Sequence, residues 1–124
     1  MSLDVSLLSA GHKCPECGHV DRLPGVDREL FARNITHNLR EMAGAAGLYT
    51  CLWRPEECDP PIRFARDLVG PLTEGLARLG ADPERFRALS PSNGWGTYEG
   101  LVWFVAAYLE ACEYWPDAEV RVWR

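Results

Sequence analysis

Residues 91–115 read PSNGWGTYEGLVWFVAAYLEACEYW, and the fold class turns on them. Tyr98, Leu101, Val102, Val105, Tyr108, Leu109 and Cys112 recur at separations of three and four. That period puts them on one stripe of an α-helix, which needs a second layer to cover it. Each large side chain buried there contributes about 1.5–3 kcal/mol. Thr97 is placed to cap the helix, Glu99 suits its positive end, and Pro116 stops it. Ahead of it, Asn93-Gly94-Trp95-Gly96 holds two glycines able to take positive φ, the mark of a tight turn. Trp103 falls on the opposite helix face with Glu99, Ala106, Glu110 and Glu113. A Trp among carboxylates is either half covered by a loop or part of a contact surface. Single exposed apolar residues are common, which favours the first.

Working outward, residues 62–80 carry a second stripe of Ala65, Leu68, Val69, Leu72, Leu76 and Leu79. Pro71 lies inside it, removes one donor and crowds the carbonyl of Asp67, which predicts a kink. Asp82-Pro83-Glu84 restarts a short helix with Asp82 as N-cap, anchored by Phe86 and Leu89. Residues 38–46 predict another helix, with Leu39, Met42, Ala43 and Ala46 as its stripe. Asn38 and Glu41 resemble a capping box there, and Gly47 is a natural C′ residue. Residues 48–53 read as one further helical turn, and 56–61 as an acidic, Pro-rich loop.

Both ends of the chain alternate. Leu3, Val5 and Leu7 are interleaved with Asp4 and Ser6, and Ala118, Val120 and Val122 with Glu119 and Arg121. Neither strand is stable alone, so the two share a sheet. A third strand is expected after residue 19, where residues 29–33 read as a short strand or a helical turn. The expected fold is α+β. A small sheet including the N- and C-terminal strands is covered on one face by three to four helices. At 124 residues the chain is one domain, with residues 9–33 as a knuckle and loop insertion.

That insertion holds His12-Lys13-Cys14-Pro15-Glu16-Cys17-Gly18-His19. Two thiolates three residues apart converge on one metal, and Gly18 permits the turn that aims N–H groups at the sulfurs. The expectation is a structural zinc knuckle with Cys14 and Cys17 as ligands. A second C-x-x-C is missing, so the remaining two ligands come from His12 and His19, from Cys51 and Cys58, or one from each pair. Four protein ligands leave no open position, so such a zinc is structural. The alternatives are a pair of reduced thiols in a turn or, less in keeping with the flanks, a redox pair.

Composition narrows the partners. The net charge is −5 and no basic stripe appears, which argues against nucleic acid; Lys13 and Arg22 alone cannot track phosphates beside the knuckle. No apolar run reaches membrane-spanning length, and no leader pattern opens the sequence, so a cytoplasmic protein is expected. Two polar segments are candidates for a small-ligand site: Asn34, Thr36, His37 and Asn38, and Asn93, Trp95 and Tyr98. Asn and His supply directed hydrogen bonds, while Trp and Tyr supply stacking faces.

The order of the segments "DVSL", "NITHN", "MA…AG", "LW", "DPERFRAL", "NGWGTYEGL" and "PDAEV.V" resembles a family of short proteins encoded by bacteriophages and prophages. Many of them come from actinobacteria and other GC-rich hosts, and they have no established biochemical activity. The resemblance covers residues 34–124 and, loosely, the first strand; Asn34 to Asn38 and Asn93 to Tyr98 are its most specific parts. Only some relatives carry the CPxCG knuckle. The resemblance implies a phage or prophage accessory protein in a bacterial cytoplasm.

Four functions follow in order. The first is a non-catalytic module binding a host or phage protein through Trp103, Trp123 and the acidic loop at 56–59, since aromatics among charges anchor interfaces. The second binds or sequesters a small, nucleotide-like ligand at the two polar segments, though no phosphate loop is present. The third is an enzyme using His37 with Glu41 or a cysteine; no nucleophile elbow, H-E-x-x-H, P-loop or paired carboxylate motif supports it. The fourth is nucleic-acid binding at the knuckle.

Overall fold

The computed structural model describes residues 2–9, 12–13, 20–21 and 29–124. Strand β1 (Ser2–Leu8) is the centre of a three-stranded antiparallel sheet. On one side it pairs with β4 (Glu29–Thr36), from Ser2 opposite Thr36 to Leu8 opposite Glu29, with an irregularity between Leu7 and Leu8. On the other it pairs with β5 (Glu119–Trp123), Asp4 opposite Trp123 and Leu8 opposite Glu119. The two terminal strands are therefore neighbours, as the alternation required. A separate two-stranded ribbon joins β2 (His12–Lys13) to β3 (Val20–Asp21).

Strand alternation decides which side is dry. Leu3, Val5 and Leu7 are fully buried, while Asp4 between them is exposed. The buried set meets the helical layer, in which α3 (Ala65–Ala81) packs along α5 (Tyr98–Tyr114), and α5 also lies over β4. Leu68, Leu72, Leu101, Val105 and Tyr108 join the strand residues in one hydrophobic cluster. Among the described residues there are five α-helices, α3 and α5 with the short α1 (Arg40–Ala45), α2 (Tyr49–Trp53) and α4 (Pro83–Arg87); the three to four expected left out the stretch at 48–53, read as one further helical turn, which is α2.

The buried face of α5 is broader than the stripe read from the sequence. Phe104 and Ala111 are buried, while Val102 and Leu109 are only half-buried. The helix is contacted from two sides, by α3 and by β4, so more than one line of residues is covered. Phe104 meets Tyr108 edge-on at 6.0 Å, and Tyr108 stacks on Phe31 of β4 at 5.7 Å. Helix α3 runs unbroken through Pro71.

The caps on α4 and α5 are those expected. Thr97 Oγ1 accepts from Gly100 N at 2.9 Å, and Asp82 Oδ1 accepts from Arg85 N at 3.4 Å with Pro83 at N1. The cap at residues 36–40 is a correction. Thr36 caps this turn, with Oγ1 accepting from Asn38 N at 3.3 Å; Asn38 does not. The reason is that β4 extends beyond residue 33 and ends at Thr36, whose backbone is still extended. The chain first turns at His37, in a 3-10 turn (His37–Leu39) that leads into α1. Asn34, Ile35 and Thr36 are thus strand residues, and Asn38 keeps its side chain free of the cap. Gly47 does take the left-handed C′ position, at φ 74°.

Candidate functional site

The end of β4, the turn after it, α2 and the last residue of the chain surround one open cavity of about 930 Å³. Its centre is a pair that the sequence does not announce. Trp53, nearly fully buried at the end of α2, donates from Nε1 to Nδ1 of His37 at 2.9 Å. A ring nitrogen that accepts cannot carry the proton, so neutral His37 bears it on Nε2 and has a donor left to offer. Partial burial lowers the pKa of His37, and the charge of Arg40 lowers it further. The imidazole is held neutral by its setting and by the bond from Trp53, which favours the unprotonated Nδ1.

Three arginines and one more aromatic ring, that of Tyr49, build the wall around this pair. Arg40 Nε donates to the carbonyl of His37 at 3.1 Å. Arg54 Nη1 meets Glu57 Oε2 at 3.1 Å, and its Nε donates to the hydroxyl of Tyr49 at 3.4 Å. Arg124 donates to the carbonyl of Trp53 at 2.8 Å and pairs with Glu56. Tyr49 and Trp53 lie four apart on α2, and their rings stack at 5.6 Å. A chain with net charge −5 therefore builds a cavity rich in cations.

The second polar segment joins the first at this cavity. Gly96 sits at φ 103°, a conformation favouring glycine, and rests directly on the end of β4. A Cβ there would lie 2.8 Å from Thr36 Cγ2 and 2.9 Å from Leu39 Cγ. This close approach brings Trp95 to the rim, where it is 71% exposed. Asn93 Oδ1 accepts from the N–H of Trp95 at 3.0 Å and shapes the turn.

Of the residues read as a ligand site, Asn34, Thr36, His37, Asn38 and Trp95 line the cavity. Asn93 and Tyr98 do not. Tyr98 is buried, and its hydroxyl donates to the Leu79 carbonyl at 2.6 Å, tying the start of α5 to α3. Arg40, Tyr49, Trp53, Arg54 and Arg124 were missed. The i, i+4 spacing of Tyr49 and Trp53 was the signal available for two of them; nothing local marks Arg124, which arrives through β5. Glu41, the carboxylate considered with His37, is exposed and does not border the cavity.

The remaining candidates lie elsewhere. Trp103 is 76% exposed on the outward face of α5, and Trp123 is 66% exposed on the open face of the sheet opposite Asp4. Cys51 is buried and donates to the Leu48 carbonyl; burial pushes its thiol up to about 12. Burial also raises Cys58, and both border a cleft of about 290 Å³. Among the described residues, no three His, Cys, Asp or Glu side chains converge as a metal would require. Cys14, Cys17 and His19, and the side chain of His12, lie outside the described residues. No helix among the described residues is long and apolar enough to cross a membrane. Comparisons with protein-family models, curated proteins and solved structures found no match.

Proposed function

We propose that this chain binds a small anionic molecule carrying a flat aromatic ring, of the nucleotide kind. One observation carries the reading: Arg40, Arg54 and Arg124, a neutral His37 with a free N–H, and the rings of Tyr49, Trp53 and Trp95 line a single cavity. Guanidinium groups suit phosphate and carboxylate, and ring faces suit a base. Its size falls in the range of small-molecule sites, roughly 300–1,000 Å³. Catalysis is less well supported, because the carboxylates nearest the arginines, Glu56 and Glu57, are already paired with them.

The setting we infer is a phage or prophage accessory protein in a bacterial cytoplasm. What supports it is the sequence resemblance, whose most specific segments are 34–38 and 93–98. Calorimetric titration with adenosine monophosphate, adenosine and inorganic phosphate tests the binding reading. Binding of the nucleotide that weakens in Arg40→Ala is expected; no heat at millimolar ligand in any titration overturns it.

A second reading keeps the exposed Trp103 and Trp123 as anchors for a host or phage protein. Its support is their exposure, and loss of partner capture in folded Trp103→Ala and Trp123→Ala variants is its test. The structural zinc also stands as a proposal, supported by the antiparallel pairing of β2 and β3, which flank residues 14–19.

A further inference from the structure

We infer that the ligand bears a single negative charge, as a cyclic nucleotide phosphodiester does, rather than the several charges of a polyphosphate. This rests on the cavity being an anion site, and the paired charges of its wall carry it. Arg54 is paired with Glu57, and Arg124 with Glu56. Arg40 is different: its guanidinium touches the His37 carbonyl, and among the described residues no carboxylate reaches it. His37 adds no charge, because its ring is held neutral. Among the side chains of the wall, Arg40 is thus the cation without a carboxylate partner, beside the uncharged rings of His37, Tyr49, Trp53 and Trp95.

The backbone that carries the two carboxylates is fixed beside the site. They stand on the 3-10 turn Pro55–Glu57, whose Pro55 is buried. The Pro55 carbonyl accepts from Cys58 N at 3.2 Å and from Ile62 N at 3.0 Å. A triphosphate would have to break both ion pairs or hold its outer phosphates against Glu56 and Glu57. A monoanion needs neither, since Arg40 alone meets it. The ring of such a ligand has a free partner at the rim: among the described residues no aromatic ring packs on Trp95, although it borders the cavity.

The chemistry is shared by two sources, a cyclic nucleotide and a non-nucleotide aromatic acid, so the experiment separates them. The full chain is titrated at fixed ionic strength with the four 3′,5′-cyclic nucleotides, adenosine monophosphate, adenosine triphosphate, inorganic phosphate and indole-3-acetate. Cyclic nucleotides and indole-3-acetate carry one charge, and the triphosphate roughly four near neutral pH. We expect at least one cyclic nucleotide to bind about tenfold or more tighter than adenosine triphosphate. Arg40→Ala should weaken it about tenfold, the effect of losing one charged hydrogen bond. The double variant Glu56→Gln/Glu57→Gln should shrink or reverse the preference against the triphosphate. Tighter binding of indole-3-acetate than of any cyclic nucleotide supports the charge rule and moves the source to an aromatic acid. Affinity that climbs with charge overturns this inference while leaving the anion site in place. If none of the probes binds, the reading of the cavity falls with it.

Discussion

Replacing Gly96 by alanine tests the contact that makes one site out of two segments, and Gly94 is its control. Both glycines have positive φ, 75° at Gly94 and 103° at Gly96. At Gly94 a Cβ would meet nothing within 4 Å. Left-handed backbone costs an alanine about 1–2 kcal/mol, and the stiffer unfolded chain returns about 0.4–1 kcal/mol. The Gly94→Ala loss is therefore about 1 kcal/mol. Gly96 lies further from the left-handed minimum, which raises the strain to about 1–3 kcal/mol. Its Cβ would also stand 2.8 Å from Thr36 Cγ2 and 2.9 Å from Leu39 Cγ. Leu39 is buried and cannot retreat, and overpacking of this kind costs a further 1–3 kcal/mol or so. The expected loss is about 2–5 kcal/mol. At roughly 4 °C per kcal/mol for a chain of this size, Tm falls about 10–20 °C in Gly96→Ala but only a few degrees in Gly94→Ala. Thermal melts followed by circular dichroism, with urea titrations for ΔG, read both. Equal losses in the two variants would refute the packing of the 93–96 turn on the end of β4, and the single site with it.

Four more outcomes follow from particular side chains. The Tyr108 hydroxyl is fully buried with no hydrogen-bond partner among the described residues, so Tyr108→Phe should leave stability unchanged or raise it by about 1 kcal/mol; a clear loss in urea would show a partner for that hydroxyl. His37 has a folded-state pKa below its ordinary value, so the folded protein holds this proton less tightly than the unfolded chain. Its contribution to stability is then complete above about pH 6.5 and is lost as pH falls through the folded pKa. Trp53→Phe removes the donor at Nδ1 and should raise the His37 pKa in an NMR titration; an unmoved pKa contradicts the assigned tautomer. Elemental analysis should find near-stoichiometric zinc in the untagged protein and little in Cys14→Ser; equal metal content in both excludes Cys14 as a ligand.

The α+β class and the pairing of the terminal strands were legible because period-2 and period-3.6 patterns depend on local sequence alone. Thr97 and Asp82 were legible as caps for the same reason. Where a residue's role depended on how far its neighbour element runs, reading failed: Asn38 looked like a cap until β4 extended to Thr36 and took that place. Phe104 was passed over because α5 is contacted by both β4 and α3, and a single stripe cannot express two contacts. The site divides in the same way. Asn34, Thr36, His37, Asn38 and Trp95 stood out as polar or aromatic residues in unusual local company. Nothing local sets Arg40, Arg54 and Arg124 apart, because only the fold gathers them. Tyr98 had the look of a stacking residue, yet α5 turns it inward to the Leu79 carbonyl.

The five tryptophans supply the most direct test of the binding claim, since each indole N–H gives its own signal in a ¹H–¹⁵N spectrum. With signals assigned by Trp→Phe variants, a cyclic nucleotide is titrated into the full chain. The account predicts that Trp53, bonded to His37, and Trp95, at the rim, shift together and saturate, while Trp103 and Trp123 stay in place. Saturating shifts confined to Trp103 and Trp123, or no shift at any indole, would contradict it.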